Sequence, residues 1–556
     1  MEQSKKKNKT VFLIAGIHFL LSVVYRMYFY QYLEDDSGIF TSAVTDSQTF
    51  YSDMAERIVS TLISGAFGFL LIFVIWYVIL QACREIKAVV AGIVLFSCMV
   101  AVLAFPACFD IETDTYILYH EAVRDILDYW QSMYTTCIYN ACLLVFPDPV
   151  IIPVIQLSGF LGTLYYITRR TYKIFDSKLA WMFWLIVLSP ECFEIALSPY
   201  RGCINTIMCM LFFSIIFMDV AENRKRADWQ ILLMSLGVAF LTVFRSEQIL
   251  FPIIWSGILY FVYFYKNRRW IRYVFFTIIF CLLLAFPQKL GDRKYYGKEY
   301  TVINKMETLA GMFREDELNI SYEGAAEDIQ KINALVPIEK LCASGLMGYR
   351  GHLFANRNDF NDFSQKAKRQ EQFLKAADHL ILKNIGIFLK VRWNIFLGAN
   401  NVPVQMGSDF TEEVSAMYDA YAMRVYFGAV EVYKDSWVLR LLYQNPQNGI
   451  SDRMIGFWEK LMTWFGEKTL FLAVRCVVFI LFSIMVCRLY GHKDVAGEVK
   501  KIMVVILLML YAQIAAIFLL SPDDRNTYYY TVFYILLVGD MILGLYDKKV
   551  RIENKY

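Results

Sequence analysis

Apolar blocks recur from one end of this 556-residue chain to the other, each close to the roughly 20 residues that a helix needs to cross a hydrocarbon core. No other feature limits the fold as strongly. Inside a bilayer every backbone N–H and C=O must be satisfied within its own segment, so such blocks are expected to be helices. Composition agrees, with 57% hydrophobic and 19% charged residues. The blocks leave no room for a soluble enzyme in the first half and together predict one all-α polytopic membrane bundle. The opening MEQSKKKNKT and the run VFLIAGIHFLLSVVY look like a signal peptide, but the run is long and no small-residue cleavage site follows. It is expected to stay as a first helix.

Charge between the blocks predicts orientation, because short loops rich in Lys and Arg stay in the cytoplasm. Such loops are KKKNK (5–9), CREIK (83–87), RRTYK (169–173), ENRKR (222–226), KNRRWIR (266–272), the stretch from CRLYGHK to EVKK (487–501), and DKKVR (547–551). Placing all of them inside predicts helices near 11–31, 59–81, 88–106, 149–168, 179–196, 203–219, 229–245, 249–265, 273–288, 468–487, 502–520 and 528–546. That is about twelve crossings, with both termini cytoplasmic, in what is expected to be a bacterial cytoplasmic membrane.

Two apolar segments would break this alternation if they crossed. YTTCIYNACLLVF (134–146) is short and is expected to be a re-entrant or surface helix on the outer side. LILKNIGIFLKVRWNIFLGA (380–399) carries Lys383, Lys390 and Arg392, and is expected to lie in the outer interface with its basic side chains snorkelling. The chain then divides into an N-terminal bundle with outer loops (1–288), a mostly helical extracytoplasmic region (289–467) and C-terminal spanning helices (468–556).

The outer face collects acids. FDIETDTYILYH (109–120) sets Asp110, Glu112 and Asp114 at the outer end of a helix, with Tyr116 close behind. A solvated loop explains any single one of them. Their context is more specific: an amphipathic stretch, an aromatic turn, the short apolar helix and then a Pro-bounded crossing, which would hold the acids against the membrane surface. A second acidic loop follows the first helix, with Glu34, Asp35 and Asp36 in YLEDDSGIF and Asp46, Tyr51 and Asp53 in TDSQTFYSDM.

An acid followed by a tyrosine, then paired surface helices ending in an apolar, Tyr-containing stretch, resembles the first outer loop of the GT-C superfamily of polyprenyl-phosphate-sugar-dependent glycosyltransferases. The likeness is greatest to bacterial relatives of the protein O-mannosyltransferase and aminoarabinose transferase group. LTVFRSEQILFPIIW resembles that superfamily's outer turn with Arg and Glu between two helices, and SPDDRNTYYYTVFYILL its late outer turn with Arg and tyrosines. The resemblance covers roughly residues 88–288 and 500–546. It implies a donor sugar on a polyprenyl phosphate at the outer leaflet and a glycan, lipid or protein acceptor. It further implies a carboxylate that takes the acceptor's proton, with inversion at the anomeric carbon. Asp114 is then the base and Asp110 the second candidate, while Glu112 and Tyr116 line the substrate. Asp35, Asp36 and Asp46 remain the alternative, since acidic pairs after the first helix are also a superfamily feature. Arg201 in SPYRG, Arg245 in FRSE and Arg525 in DDRN would stabilise the leaving phosphate, with Glu247 and Tyr529 beside them. Interfacial anchoring is the plain alternative for Arg201 and Arg525, and an aromatic belt for Tyr528, Tyr529 and Tyr530; Glu191 and Glu194 read as turn residues.

Other chemistries have little support. The five histidines are scattered and no Cys/His pair has metal-ligand spacing, so no metal site is expected from them. A divalent cation on Asp110, Glu112 and Asp114 stays open, because hard ions take carboxylates. Twelve cysteines show no disulfide framework, no GxxxxGK[ST] is present, and a net charge of +3 gives no reason to expect nucleic acid. A transporter or flippase for lipid-linked glycans is the rival class and would bury ionisable residues at mid-depth, where Asp540 and Arg475 are the clearest. A polymerase or ligase using a diphosphate-linked glycan would share the outer Arg and acid.

Overall fold

The computed structural model describes residues 2–30, 54–105, 107–109, 115–127, 129, 132–265, 267–295, 298–335, 337–343, 366–400, 435–442, 449–493, 495, 497–520 and 527–553. Among them there is no strand. Among the described residues nine helices are long and apolar enough to cross a membrane, so the chain is an all-α membrane protein. Three of the twelve expected crossings fall short of that length. Asp228–Phe244 has 17 residues, and Phe251–Ile258 runs into a π-helical turn, Leu259–Tyr263. The segment expected at 179–196 is a 3-10 helix, Lys178–Leu188, broken before an α-helix, Pro190–Leu197. Pro190 has no N–H and pushes the preceding residue out of the α region, which breaks the run there.

The chain forms two compact units. The first holds Met1–Arg170, Trp181–Ile207 and Val425–Glu459. At its core lies Met133–Val145, with 11 of 13 residues buried, against Glu2–Tyr30 and Met54–Gln81. Cys137 meets Ser60 and Ser64 near the start of the 54–81 helix, whereas Leu144 sits over Gly68, where a Cβ would come within 2.7 Å of it. At 1.5 Å per residue, Gly68 lies about 6 to 12 Å further along than the two serines. The short helix therefore descends along its neighbour, as a re-entrant element does. His18, midway along the first spanning segment, hydrogen-bonds the Val145 carbonyl at 3.0 Å and fixes the deep end.

The second unit holds Thr171–Ala180, Met208–Arg424 and Lys460–Tyr556. Its basic loops gather at one end. Arg226 grips Asp219 through Nε and Nη2 at 2.6 Å, and Tyr263 donates to the same carboxylate at 2.8 Å. Lys501 reaches the Tyr265 hydroxyl at 3.3 Å, and Asp547 collects Arg488, His492 and Arg551 within 3.5 Å. These ties hold the basic loops of this unit in place. Midway along Thr527–Glu553, Gly539 lets two rings approach: a Cβ there would meet Phe217 and Phe482 at 2.7–2.8 Å. Gly539→Val is expected to cost about 3 kcal/mol and lower the unfolding midpoint in detergent. Gly544→Ala, whose methyl would meet Met485 at 3.6 Å, is expected to be neutral or stabilising.

A helical layer follows the Trp270–Tyr295 helix within this unit. Glu299–Phe313, Ala325–Leu335 and Lys366–Lys383 pack around Met306, Leu309, Ile332, Phe373 and Ala377. Asp328 clamps it, accepting from the Tyr322 hydroxyl at 2.9 Å and pairing with His379 Nδ1 at 2.6 Å. The expected interfacial helix 380–399 is two helices, broken at Asn384, whose side chain bonds both backbone groups of Asn319 and the Leu380 carbonyl. The second, Ile385–Gly398, exposes Ile385, Leu389 and Trp393 and buries Val391, Arg392 and Ile395.

Candidate functional site

Asp110, Glu112 and Asp114, the side chain of Tyr116, the alternative Asp35, Asp36 and Asp46, and Arg525 all lie outside the described residues. What holds the 110–114 loop is described. Its two ends are tied together by the Thr115 hydroxyl, which donates to the Phe109 carbonyl at 2.5 Å, and both residues are fully buried. The helix that follows, Thr115–Val123, packs Tyr119 edge-on against Phe109. Arg26 of the first helix caps its C-terminal end, donating to the Ala122 and Val123 carbonyls at 2.9 and 3.2 Å and to Asp125 at 3.1 Å. A cation at a helix C-terminus is favoured by the helix dipole. Asp125, in the left-handed region with φ 57°, also accepts from Asn140 of the re-entrant helix at 2.5 Å.

Region 289–467 contributes to this same unit. Asp435 accepts the Tyr119 hydroxyl proton at 3.2 Å, bringing a carboxylate to the helix five residues past Asp114. Its neighbour Ser436 donates to Asp148, which is fully buried and also accepts from the backbone N–H groups of Val150 and Val438 at 3.0 and 3.1 Å. Burial pushes the Asp148 carboxyl up while those bonds pull it back. Arg201 is 8% exposed and so is not an interfacial anchor; its charge acts on Tyr139, whose hydroxyl donates to the Pro199 carbonyl. Glu191, expected as a solvated turn residue, is buried. The side chain of Glu194 is outside the described residues.

Beside Tyr119, burial and the nearby Arg124 charge push the His120 ring from the usual 6.5 down to about 4. The folded chain keeps the ring neutral, whereas the unfolded chain protonates it below 6.5. Stability is therefore expected to fall as pH drops from 6.5 toward 4. His120→Gln should flatten that part of the curve of unfolding midpoint against pH.

In the second unit, three guanidiniums are buried away from the basic loops, two of them near helix ends and Arg392 midway along Ile385–Gly398. Arg245 ends Asp228–Phe244 and forms a bidentate pair with Glu247, Nε to Oε2 at 3.1 Å and Nη2 to Oε1 at 2.9 Å. The tight turn thus buries both side chains together, at 2% and 9% exposure. Gln513 donates to Gln248 beside them. Arg392 donates through Nε to the Phe518 carbonyl at 2.7 Å and through Nη1 to Thr308. Arg475 donates to the Asn400 amide oxygen at 2.7 Å and lies over the Tyr530 ring at 5.4 Å. Tyr529, packed on Phe396, feels the charges of both Arg392 and Arg475.

Two expectations are corrected here. Arg392 does not snorkel: it is 1% exposed and bonded inside the unit. Lys383 and Lys390 are exposed, whereas Arg392, two residues past Lys390, faces away from it. Arg475 is not a mid-depth residue, because it lies near the start of Leu470–Gly491, level with Tyr530. Asp540 does lie halfway along its helix.

Arg side chains stay charged under all ordinary conditions and suit bidentate contact with phosphate. Here Arg245 already holds Glu247, and Arg392 and Arg475 bond Phe518, Thr308 and Asn400, so an anion bound at these residues would have to share them with those partners. No group of three potential metal ligands occurs among the described residues, and no disulfide occurs among the described cysteines. The chain matches no family model, no curated protein and no solved structure.

Proposed function

We propose that the chain is an integral membrane glycosyltransferase that moves a sugar from a polyprenyl-phosphate donor to an acceptor on the outer face of the membrane. The observation that supports it most is the set of Arg245, Arg392 and Arg475, each at most 4% exposed, away from the basic loops of the second unit. An anionic lipid headgroup is the ligand such a set favours, because fixed cations in a water-poor site interact strongly with developing phosphate charge. Within this proposal Asp114 takes the acceptor's proton, with Asp110 as the second carboxylate and Glu112 and Tyr116 contacting the sugar. Asp35, Asp36 and Asp46 are the alternative base loop. The resemblance in sequence also implies substrate contacts for Arg201, Glu247, Tyr529 and Arg525. The acids in 110–114 are the natural place for a divalent cation if the reaction uses one.

Asp540 favours a second reading, a transporter for lipid-linked glycans, since a carboxylate halfway along a spanning helix is costly unless it binds or couples something. One experiment separates the two. Proteoliposomes bearing the chain are given radiolabelled polyprenyl-phosphate and polyprenyl-diphosphate sugars. Release of sugar from a monophosphate donor supports the transferase; release from diphosphate donors alone moves the assignment to a polymerase or ligase. Movement of an intact lipid-linked glycan between leaflets, with no sugar released, supports the transporter.

A further inference from the structure

We infer that the helix Gly449–Glu467 is an interfacial helix that docks on anionic phospholipid headgroups at the membrane end where the Leu470–Gly491 span begins. The helix packs Met462 inward but leaves Phe457 and Trp464 exposed at 69% and 50%. These two stand seven residues apart, so they share one helical face. Arg453 and Lys460 are spaced four and three residues from Phe457, on the same face, and both are exposed. Lys468 adds a third exposed cation in the turn; of the acids, Glu459 points well away from the aromatic face and Glu467, three residues past Trp464, is exposed beside it, so the cations on and next to the face outnumber the one acid there.

Chain continuity indicates what this face meets. The helix ends at Glu467, Thr469 turns the backbone in the left-handed region with φ 52°, and Leu470 starts a 22-residue span with mean hydropathy 2.7. Trp464 is thus six residues from a spanning helix, at the boundary between hydrocarbon and water. Aromatic side chains collect at that boundary, and cations beside them are attracted to anionic lipid headgroups. A partner protein would have to compete for a surface that the bilayer already reaches.

Spin labels measure the depth directly. In full-length protein with Cys83, Cys476 and Cys487 replaced by alanine, labels are placed by Trp464→Cys, Phe457→Cys and Glu459→Cys. The protein is reconstituted in phosphatidylcholine vesicles with and without phosphatidylglycerol. Positions 464 and 457 should collide more with oxygen than with a water-soluble nickel chelate, and position 459 should show the reverse. Adding phosphatidylglycerol should shift 464 and 457 deeper. Nickel preference at 464 and 457 would place the helix in water and overturn the inference. Shielding of both positions from both reagents would put protein there instead, and equal depth in the two lipid mixtures would remove the anionic preference. None of these outcomes depends on sugar transfer.

Discussion

Asp114→Asn is expected to lower sugar transfer by a factor of about 10² to 10⁴ while the amount of protein in the membrane stays unchanged. The amide keeps the shape of the side chain but cannot accept the acceptor's proton, so the loss should appear in kcat more than in KM. The loop that carries Asp114 is closed at its base by Thr115 and Phe109, and the helix leaving it is fixed by Arg26 and Asp435. The described residues on either side of that loop are thus fixed, and positioning of a base is what makes proton transfer efficient. Asp46→Asn in the same assay is the control. Loss in that variant alone would assign the base to the first acidic loop, and full activity in both would leave Asp110, Asp35 and Asp36 as the candidates still to be tested by the same substitution.

Arg475→Gln and Arg392→Lys probe the other half of the chemistry. Each is expected to reduce kcat/KM by about 10² to 10³, the range seen when one preorganised charge-stabilising donor is removed. Arg475→Gln keeps an amide N–H that can donate to Asn400, so the charge is lost with less structural damage. Arg392→Lys keeps the charge but not the planar fork that bonds the Phe518 carbonyl and Thr308. Both should also weaken inhibition by free polyprenyl phosphate, which a purely structural role would leave unchanged. Unaltered inhibition together with a lowered unfolding midpoint would mean that the arginines only stabilise the bundle.

The spanning helices were legible because a bilayer leaves one solution for a long apolar block, and loop charge marked one end of the second unit before its ion pairs were seen. Local interruptions were harder to read. Pro190 was visible, yet the run before it is apolar enough to suggest an unbroken helix, and Asn384 breaks 380–399 through bonds to Asn319, 65 residues away. The arginine set was half legible. The turn holding Arg245 and Glu247 is short enough to force them together, but Arg475 was assigned a depth from segment boundaries alone, which are uncertain by a turn. Asp435 and Arg26 carried no local signal at all, because their roles depend on partners 316 and about 96 to 99 residues away.

That 316-residue separation between Tyr119 and Asp435 also sets a timetable for synthesis. At about 5 to 20 residues per second, a ribosome needs roughly 16 to 60 s to add the stretch between them. The first unit therefore cannot close while its N-terminal helices are being inserted. They must wait, with Asp148 not yet met by Ser436, until the chain from 425 to 459 has been delivered. Insertion factors that shelter half-finished bundles would be needed most during this interval, and a nascent chain stalled before residue 435 would present them with a first unit still lacking its last piece.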